Sequence, residues 1–215
     1  GLQSLSSEER AAVAWLAGDQ GLARLPLALV QAGSTIREEG YTFAGYRKEF
    51  ERRNTVLFEA SEATGTRREE QSVHTTWDIS VEALRRKAPA AAELLALSSL
   101  LAPDGIPLAM FKGIGLSETA ATACPALHAL MVAAADDDSR SDVLKAQVRA
   151  ARRYSLIEWS ESSGAVSMHR LVQDVQRRQL SRGAASWEAA VRLVSALLEE
   201  AIPSVGEDAT LGEAR

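Results

Sequence analysis

The chain has 215 residues, a formal net charge of −5, 46% hydrophobic residues and 5% aromatic residues. These values are typical of a globular protein with its own core, favour helices over sheets, and argue against nucleic-acid binding, which usually needs a basic surface. The single cysteine, Cys124, excludes an intrachain disulfide and fits a small buried residue in a reducing compartment. Because no apolar run reaches roughly 18 residues and no signal peptide is recognisable, we expect a cytoplasmic chain without a membrane partner.

Three helices are predicted before residue 60. The first begins at a capping Ser7 and ends at two glycines. The second has Pro26 in its first turn, and its apolar residues recur on one face at helical spacing. These are Leu25, Ala28, Leu29, Ala32 and Ile36. The third spans residues 42–58, and the polar stretch 59–70 is interpreted as a loop and a domain boundary.

Helical patterns continue beyond this boundary. Residues 77–84 form one helix face, and Pro89 opens the next helix. A short helix is predicted at 107–114, followed by an alanine-rich helical stretch, 117–135, that is broken at Pro125.

The pattern changes after a helix at residues 141–154. Two short extended stretches, 155–159 and 165–168, flank a turn and predict a β-hairpin. A helix starts directly after the hairpin and ends at Gly183, and a last helix runs from Ser186 to about residue 202. Helices followed by a hairpin and a further helix are in the winged-helix order.

The predicted fold class is therefore mainly α, with a helical bundle, a winged-helix domain containing a small β-hairpin, and a C-terminal helix. We assign residues 1–70 to the helical domain and 71–182 to the winged-helix domain. Residues 183–215 form the C-terminal helix and a polar tail that we expect to be mobile.

Catalytic and metal-binding patterns are missing from the sequence. It contains no phosphate-binding loop, no Gly-Lys pair and no G-x-S-x-G elbow. One cysteine and three separated histidines do not form a zinc site. The acidic run 136–138 lacks the spacing of a calcium loop and is interpreted as a solvated helix cap. We predict no enzymatic activity, catalytic residue or metal site for this chain.

Two positions remain as candidates for function. Pro26 begins an amphipathic helix, and His169 lies where a strand ends and a helix begins. The free N–H groups and positive dipole of a helix start, together with an imidazole donor, suit a phosphate group. A purely structural interpretation stays open for both residues: a helix-initiating proline, and a half-buried histidine that caps the hairpin.

Four segments, taken in order, resemble the NB-ARC class of signal-transduction NTPases, particularly bacterial and fungal members with tetratricopeptide repeats. Residues 22–29, Leu-Ala-Arg-Leu-Pro-Leu-Ala-Leu, resemble the G-x-P motif of the helical domain. Residues 77–84 and 97–107 resemble the first parts of the winged-helix domain. Met168-His169-Arg170 resembles the MHD motif near its end.

The resemblance implies roles for both candidate residues. Pro26 would pack near the adenine of a bound nucleotide, and His169 would contact the β-phosphate of ADP in the closed, inactive state. Two residues depart from the family pattern, because Arg24 stands at the glycine of G-x-P and Arg170 at the aspartate of MHD. The phosphate-binding loop and the magnesium-site strand would precede Gly1, so we expect this chain to be a fragment of an ATPase that binds ADP or ATP with Mg.

The resemblance therefore implies a regulatory module in signalling or defence, which couples nucleotide state to switching and oligomerisation. Its partners would be an upstream nucleotide-binding domain, downstream repeats and, on activation, a second copy. No cofactor is expected in the fragment alone. One alternative is a winged-helix transcription regulator that reads DNA with cations of the helix at 141–154, namely Lys145, Arg149, Arg152 and Arg153. A second alternative is a protein-interaction scaffold without a nucleotide role.

Overall fold

A computed structural model describes the backbone of residues 5–61 and 68–201 and the side chains of residues 5–54 and 72–201. The protein is mainly α, as predicted, with a small three-stranded antiparallel sheet in this described part of the chain. The N-terminal helices are α1 Ser7–Ala17, α2 Pro26–Glu39, α3 Phe43–Ser61 and α4 Arg68–Lys87. The helices that follow are α5 Pro89–Ser98, a 3-10 helix Leu108–Leu116, α6 Glu118–Ala123, α7 Pro125–Ala133, α8 Asp137–Arg153, α9 Arg170–Ser181 and α10 Ala184–Ala201.

The strands are β1 Ile106–Pro107, β2 Glu158–Ser160 and β3 Ala165–Ser167, in the sheet order β1-β3-β2. The predicted hairpin is confirmed, with Trp159 opposite Val166. The sequence did not reveal β1, which pairs Ile106 with Val166 on the other side of β3. A two-residue strand leaves no alternating pattern, so only its pairing identifies it. With β1 in place, the segment α5–α9 has the helix, strand, helices, hairpin order of a winged helix.

Several predicted boundaries are corrected by the structure. The first helix is capped by Ser6, whose hydroxyl accepts the Glu9 N–H at 3.1 Å, and not by Ser7. The loop predicted at 59–70 is too long at both ends, because α3 continues to Ser61 and α4 starts at Arg68. Residues 62–67 lie outside the described residues. The predicted tail also lies outside them.

Helix α4 connects the two halves of the fold. It packs against α2 and α3 on one side and against α5 and α9 on the other. Its residue Trp77 is among the largest fully buried side chains. One continuous hydrophobic cluster runs from Leu16 in α1 to Leu197 in α10, so the predicted domains share a core.

The C-terminal helix is part of this body. Helix α10 packs against α6, α9 and the 3-10 helix, and buries Leu193 and Leu197. A Cβ atom added to Gly113 would lie 3.3 Å from Leu197 Cδ2, which shows how closely the 3-10 helix approaches α10.

Candidate functional site at the start of helix α9

His169 occupies the junction that the sequence predicted for it. Strand β3 ends at Ser167, and His169 has extended backbone angles, φ −61° and ψ 137°, as the N-cap of α9. The residue before it, Met168, is buried, and its N–H donates to the Pro103 carbonyl at 2.7 Å. This anchoring fixes where the histidine side chain leaves the backbone.

The imidazole of His169 has a defined hydrogen-bonding state. Its Nδ1 accepts the backbone N–H of Leu171 at 3.2 Å. Because Nδ1 is an acceptor, the neutral ring carries its proton on Nε2. The residue is exposed, which differs from the half-buried histidine of the structural alternative, although His169 does act as a cap. Nδ1 therefore caps the helix, and the Nε2–H donor has no partner among the described residues.

The first turn of α9 offers fewer free N–H groups than the sequence suggested. One of its free N–H groups, that of Leu171, is used by His169 itself. In the described part of the chain, the Arg170 N–H has no hydrogen-bond partner, and the Arg170 side chain is exposed without an ion pair. An anion at this helix start would meet the Nε2–H, one backbone N–H and a guanidinium group.

The indole ring of Trp77 packs against the imidazole of His169. The indole and imidazole centroids are 5.8 Å apart, and the ring planes are inclined by 34°. Trp77 is 1% exposed, and its Nε1 has no hydrogen-bond partner among the described residues. The sequence placed Trp77 on a helix face without linking it to His169, since nothing local connects it to a residue so far along the chain.

Pro26 is exposed at the first position of α2. The turn before it places two residues in the left-handed region, Ala23 at φ 53° and Arg24 at φ 55°. The turn is anchored by Leu22, which is buried and whose N–H donates to the Leu16 carbonyl at 2.8 Å. Arg24 thus adopts a backbone conformation that glycine adopts without steric cost.

Helix α2 exposes apolar residues and buries polar ones. Leu29 and Val30 are 37% and 57% exposed, beside Pro26. The prediction that Leu29 faces inward is therefore wrong, while Ala28 and Ala32 are buried as predicted. We call the surface of Pro26, Leu29, Val30 and Gly33 the outer face of α2.

The buried polar residues of α2 join it to α4 and to the end of α8. Gln31 Nε2 donates to the Tyr154 carbonyl. The hydroxyls of Ser34 and Ser155 are 2.7 Å apart, as are those of Thr35 and Ser80. We call these contacts the polar joint. They connect residues more than a hundred positions apart in two of the three pairs.

Glu39 closes the polar joint at the end of α2. Its carboxylate accepts from Tyr154 Oη at 2.6 Å and from Lys87 Nζ at 2.8 Å, and it also pairs with Arg86. Burial alone would raise the pKa of Glu39, but these hydrogen bonds and positive charges hold the pKa below its ordinary value.

Pro26 and His169 are not in contact. They belong to α2 and α9, which both pack against α4. Within the described residues, no hydrogen bond, ion pair or ring contact joins them. The fold therefore places the two candidate residues on elements that share one supporting helix, without forming a closed site between them.

The cations of α8 lie on its outer surface. All four predicted cations are exposed: Lys145, Arg149, Arg152 and Arg153. The Nζ atom of Lys145 lies 3.7 Å from Asp142 Oδ1. A groove of about 300 Å³ between α8 and the hairpin is lined by Lys145, Arg149, Trp159 and Glu161. The N-terminus of α8 is acidic, and Asp136 caps it by accepting the Ser139 N–H at 2.7 Å. The interpretation of this acidic run as a helix cap is confirmed.

Metal-ligand groups and membrane-spanning helices were both sought in the part of the chain that is described. Its residues contain no group of three histidine, cysteine or acidic side chains able to hold a metal ion. None of its helices is both long and apolar enough to cross a bilayer.

Comparison with known proteins gives one match. A family described as a Domain of unknown function (DUF7779) matches residues 82–185, a little under half of the chain. No curated protein and no solved structure matches. The matched segment begins within α4 and ends at the start of α10, so it contains α5–α9, the sheet and His169.

Proposed function

We propose that this chain is the regulatory portion of an NB-ARC-type signal-transduction ATPase, acting in signalling or defence in the cytoplasm. In this proposal the chain has no enzymatic activity of its own. It responds to the ADP or ATP, with Mg, that an upstream nucleotide-binding domain holds. The observation that carries the proposal is the state of the exposed His169, whose Nδ1 caps α9 while its Nε2–H has no partner among the described residues.

This arrangement suits a phosphate group for three reasons. The N-terminus of a helix carries a positive partial charge. The Nε2–H is a directed donor, because the cap and the Trp77 ring restrict rotation of the imidazole. The guanidinium of Arg170 adds a positive charge where the family pattern has an aspartate. We infer that Arg170 strengthens, and does not replace, a contact made by His169.

The outer face of α2 supports an upstream partner. It is apolar and begins at Pro26, the residue expected near the adenine. Helix α2 buries its polar residues, so the outer face is not needed for the core. The left-handed backbone at Arg24 further supports the match to a motif that has glycine there.

The polar joint supplies an interface that can open. Hydrogen bonds between hydroxyl and amide groups contribute only about 0.5–1.5 kcal/mol each, because water replaces them when they break. A ligand that binds one arrangement better than the other can then shift the equilibrium between closed and open states. Opening would expose surfaces for the downstream repeats or for a second copy.

The test compares two substitutions of His169 in the full-length parent. His169→Ala removes both the helix cap and the Nε2 donor, whereas His169→Asn keeps a capping oxygen and removes the imidazole. We expect both variants to retain ADP about tenfold less tightly, the loss for one charge-assisted hydrogen bond. In the isolated chain only His169→Ala should lower stability, by about 1 kcal/mol.

The measurements are the ADP retained after purification, the ADP dissociation constant and the basal ATPase rate. The phosphate-sensing role is wrong if His169→Ala leaves ADP affinity and basal activity unchanged. If only His169→Ala weakens ADP binding, the effect comes from the helix cap, and the direct contact is excluded.

DNA binding by α8 is the second candidate, and the exposed cations beside the hairpin groove favour it. The acidic first turn of α8 argues against it, since the N-terminal residues of a recognition helix usually approach the bases. A gel shift at low salt decides between the regulatory module and the DNA-binding regulator. Salt-sensitive binding to duplex DNA that is lost in Arg149→Gln/Arg152→Gln would favour the transcription regulator. A scaffold without nucleotide function predicts instead that the upstream domain binds ADP equally well with and without this chain.

A further inference from the structure

The groove between helix α8 and the β-hairpin has an apolar part and a charged part. The apolar part has a volume of about 240 Å³, and its lining includes Leu108, Ala109 and Leu144. The charged part has a volume of about 300 Å³ and includes Arg149. The two parts are neighbours, since both are lined by Lys145, Trp159 and Glu161.

Trp159 is the least buried member of a row of side chains across the sheet. It lies opposite Val166, which lies opposite Ile106, and residues paired in this way share one face. Val166 and Ile106 are buried, whereas Trp159, on the edge strand β2, is half-buried. The Nε1–H of Trp159 is accessible and has no hydrogen-bond partner among the described residues. Part of this indole is therefore available in the groove that it lines.

The charged part of the groove is positive, although the whole chain has a net charge of −5. Arg149 is exposed and makes no ion pair or hydrogen bond within the described residues. Lys145 Nζ is 3.7 Å from Asp142 Oδ1, and both side chains are exposed, so solvent weakens this pair. Glu161 forms no ion pair with either cation in the described part of the chain. Two cations are thus available to an anionic partner beside an apolar surface.

The backbone beside the groove favours a peptide as this partner. On the side of the sheet, β2 and the turn after it line the charged part. Among the described residues β2 pairs only with β3, so the other edge of its backbone is open to an added strand. Nucleic acid cannot add a strand, and its continuous phosphate backbone would be repelled by Glu161 and by the acidic first turn of α8.

The spacing of the cations suits an extended peptide. Lys145 and Arg149 are four residues apart on α8, which corresponds to about 6 Å along the helix axis. In an extended chain, alternate side chains point to the same side and are about 6.5–7 Å apart. Two carboxylates at alternate positions of such a peptide can therefore reach one cation each.

We propose that this groove binds an extended peptide segment of a partner protein, with one large apolar side chain followed by two carboxylates at alternate positions. The apolar side chain packs against Leu144 and Trp159, and the carboxylates pair with Lys145 and Arg149. The inference does not depend on the proposed nucleotide sensing. It assigns the α8 cations to a protein partner and not to DNA.

The test measures binding of fluorescently labelled peptides to the full chain of 215 residues by fluorescence anisotropy. The probe is N-acetyl-Ser-Phe-Ser-Glu-Ser-Glu-Ser-amide, whose aromatic ring and two carboxylates share one face when the peptide is extended. A peptide of the same composition, N-acetyl-Ser-Phe-Glu-Ser-Glu-Ser-Ser-amide, places the carboxylates on the other face. A third peptide has glutamine at both acidic positions of the probe. We expect saturable binding of the probe and at least about fivefold weaker binding of the other two peptides.

Two substitutions and a matched control locate the binding site. Arg149→Gln should weaken binding of the probe by about fivefold, the upper range for an ion pair open to solvent. Ala109→Glu places a negative charge at an exposed position of the apolar part and should weaken binding by about threefold. The control is Arg153→Gln, which removes an exposed cation of the same helix that does not line the groove, and it should leave binding unchanged.

The proposal is overturned if the probe does not bind saturably, or if the two acidic peptides bind equally well. It also fails if Arg153→Gln weakens binding as much as Arg149→Gln, because the attraction would then be a general effect of charge. Tighter binding of a labelled oligothymidylate than of the probe, lost in Arg149→Gln, would identify the groove as a nucleic-acid site instead.

Discussion

Replacing Glu39 with glutamine tests how much the ion pairs at the end of α2 contribute to stability. The native carboxylate is nearly buried, with 6% of its side chain exposed, and it accepts from Tyr154, Lys87 and Arg86. Glutamine keeps the shape of the side chain and one acceptor oxygen, so Tyr154 retains a partner. Arg86 and Lys87 lose their negatively charged partner.

The magnitude follows from the exposure of those cations. Hydrogen bonds to a charged group contribute about 1.5–3 kcal/mol when buried. Because 59% of the Arg86 side chain and 49% of the Lys87 side chain are exposed, solvent reduces each ion pair to less than about 1 kcal/mol. We therefore expect Glu39→Gln to lower the free energy of unfolding by about 1–2 kcal/mol. For a chain of this length this corresponds to a decrease in Tm of about 2–8 °C.

The pH dependence gives an independent check. The folded-state pKa of Glu39 is lower than its ordinary value of 4.5. The carboxylate therefore stabilises the fold above the unfolded-state pKa, and this contribution is lost as the pH falls through the folded-state pKa. The Tm difference between wild type and Glu39→Gln should be full at neutral pH and should disappear in acid.

The assay is thermal unfolding followed by circular dichroism across this pH range. Glu188→Gln is the matched control, since it breaks an exposed pair with Arg192 at 3.3 Å and should shift Tm little. Equal stability of Glu39→Gln and wild type at neutral pH would refute the reasoning. A difference that persists unchanged in acid would show that packing, and not charge, is responsible.

Two further predictions concern packing. Gly33→Ala should raise the free energy of unfolding by about 0.5–1 kcal/mol. Gly33 is exposed within α2, and an added Cβ meets no atom within 4 Å. A loss of stability would contradict the helical geometry. Gly21→Ala should lower it by more than about 1 kcal/mol, since its Cβ would lie 2.6 Å from the Leu16 carbonyl oxygen. Burial raises the pKa of the Cys124 thiol to about 12, so the native thiol should react with a disulfide reagent at least about 100-fold more slowly than in denaturant. Rapid labelling of the native chain would contradict its burial.

The sequence predicted most of the helices because their determinants are local. The apolar spacing in α2, the proline that opens α5 and the break at Pro125 each act within one or two helical turns. The hairpin was predicted for the same reason. The misplaced cap and the overlong loop at 59–70 are boundary errors, which arise because neighbouring serines and polar helical residues give similar patterns.

The position of His169 at a strand–helix junction was also predictable, and the structure places it there. The exposure of His169 was not predictable, because it depends on how α4 and α9 pack around this residue. The roles of His169 and Pro26 at a nucleotide remain predictions. The buried Nε2 of Gln176, which has no partner among the described residues, could not be recognised from the sequence, since Gln176 occupies an ordinary position on a helix.

The sequence by itself determined the mainly helical class, the order of the helices and the hairpin, the burial of Cys124 and the place of His169 between strand and helix. These depend on residues that are neighbours in the chain. Only the tertiary structure decided that Gln31 bonds to Tyr154, 123 positions away, and that Trp77 lies against His169. It also decided that Leu29 and Val30 of α2 are exposed while Gln31 of the same helix is buried. A polar residue in a helix can face water or a distant partner equally well, and only packing of the whole chain selects between them.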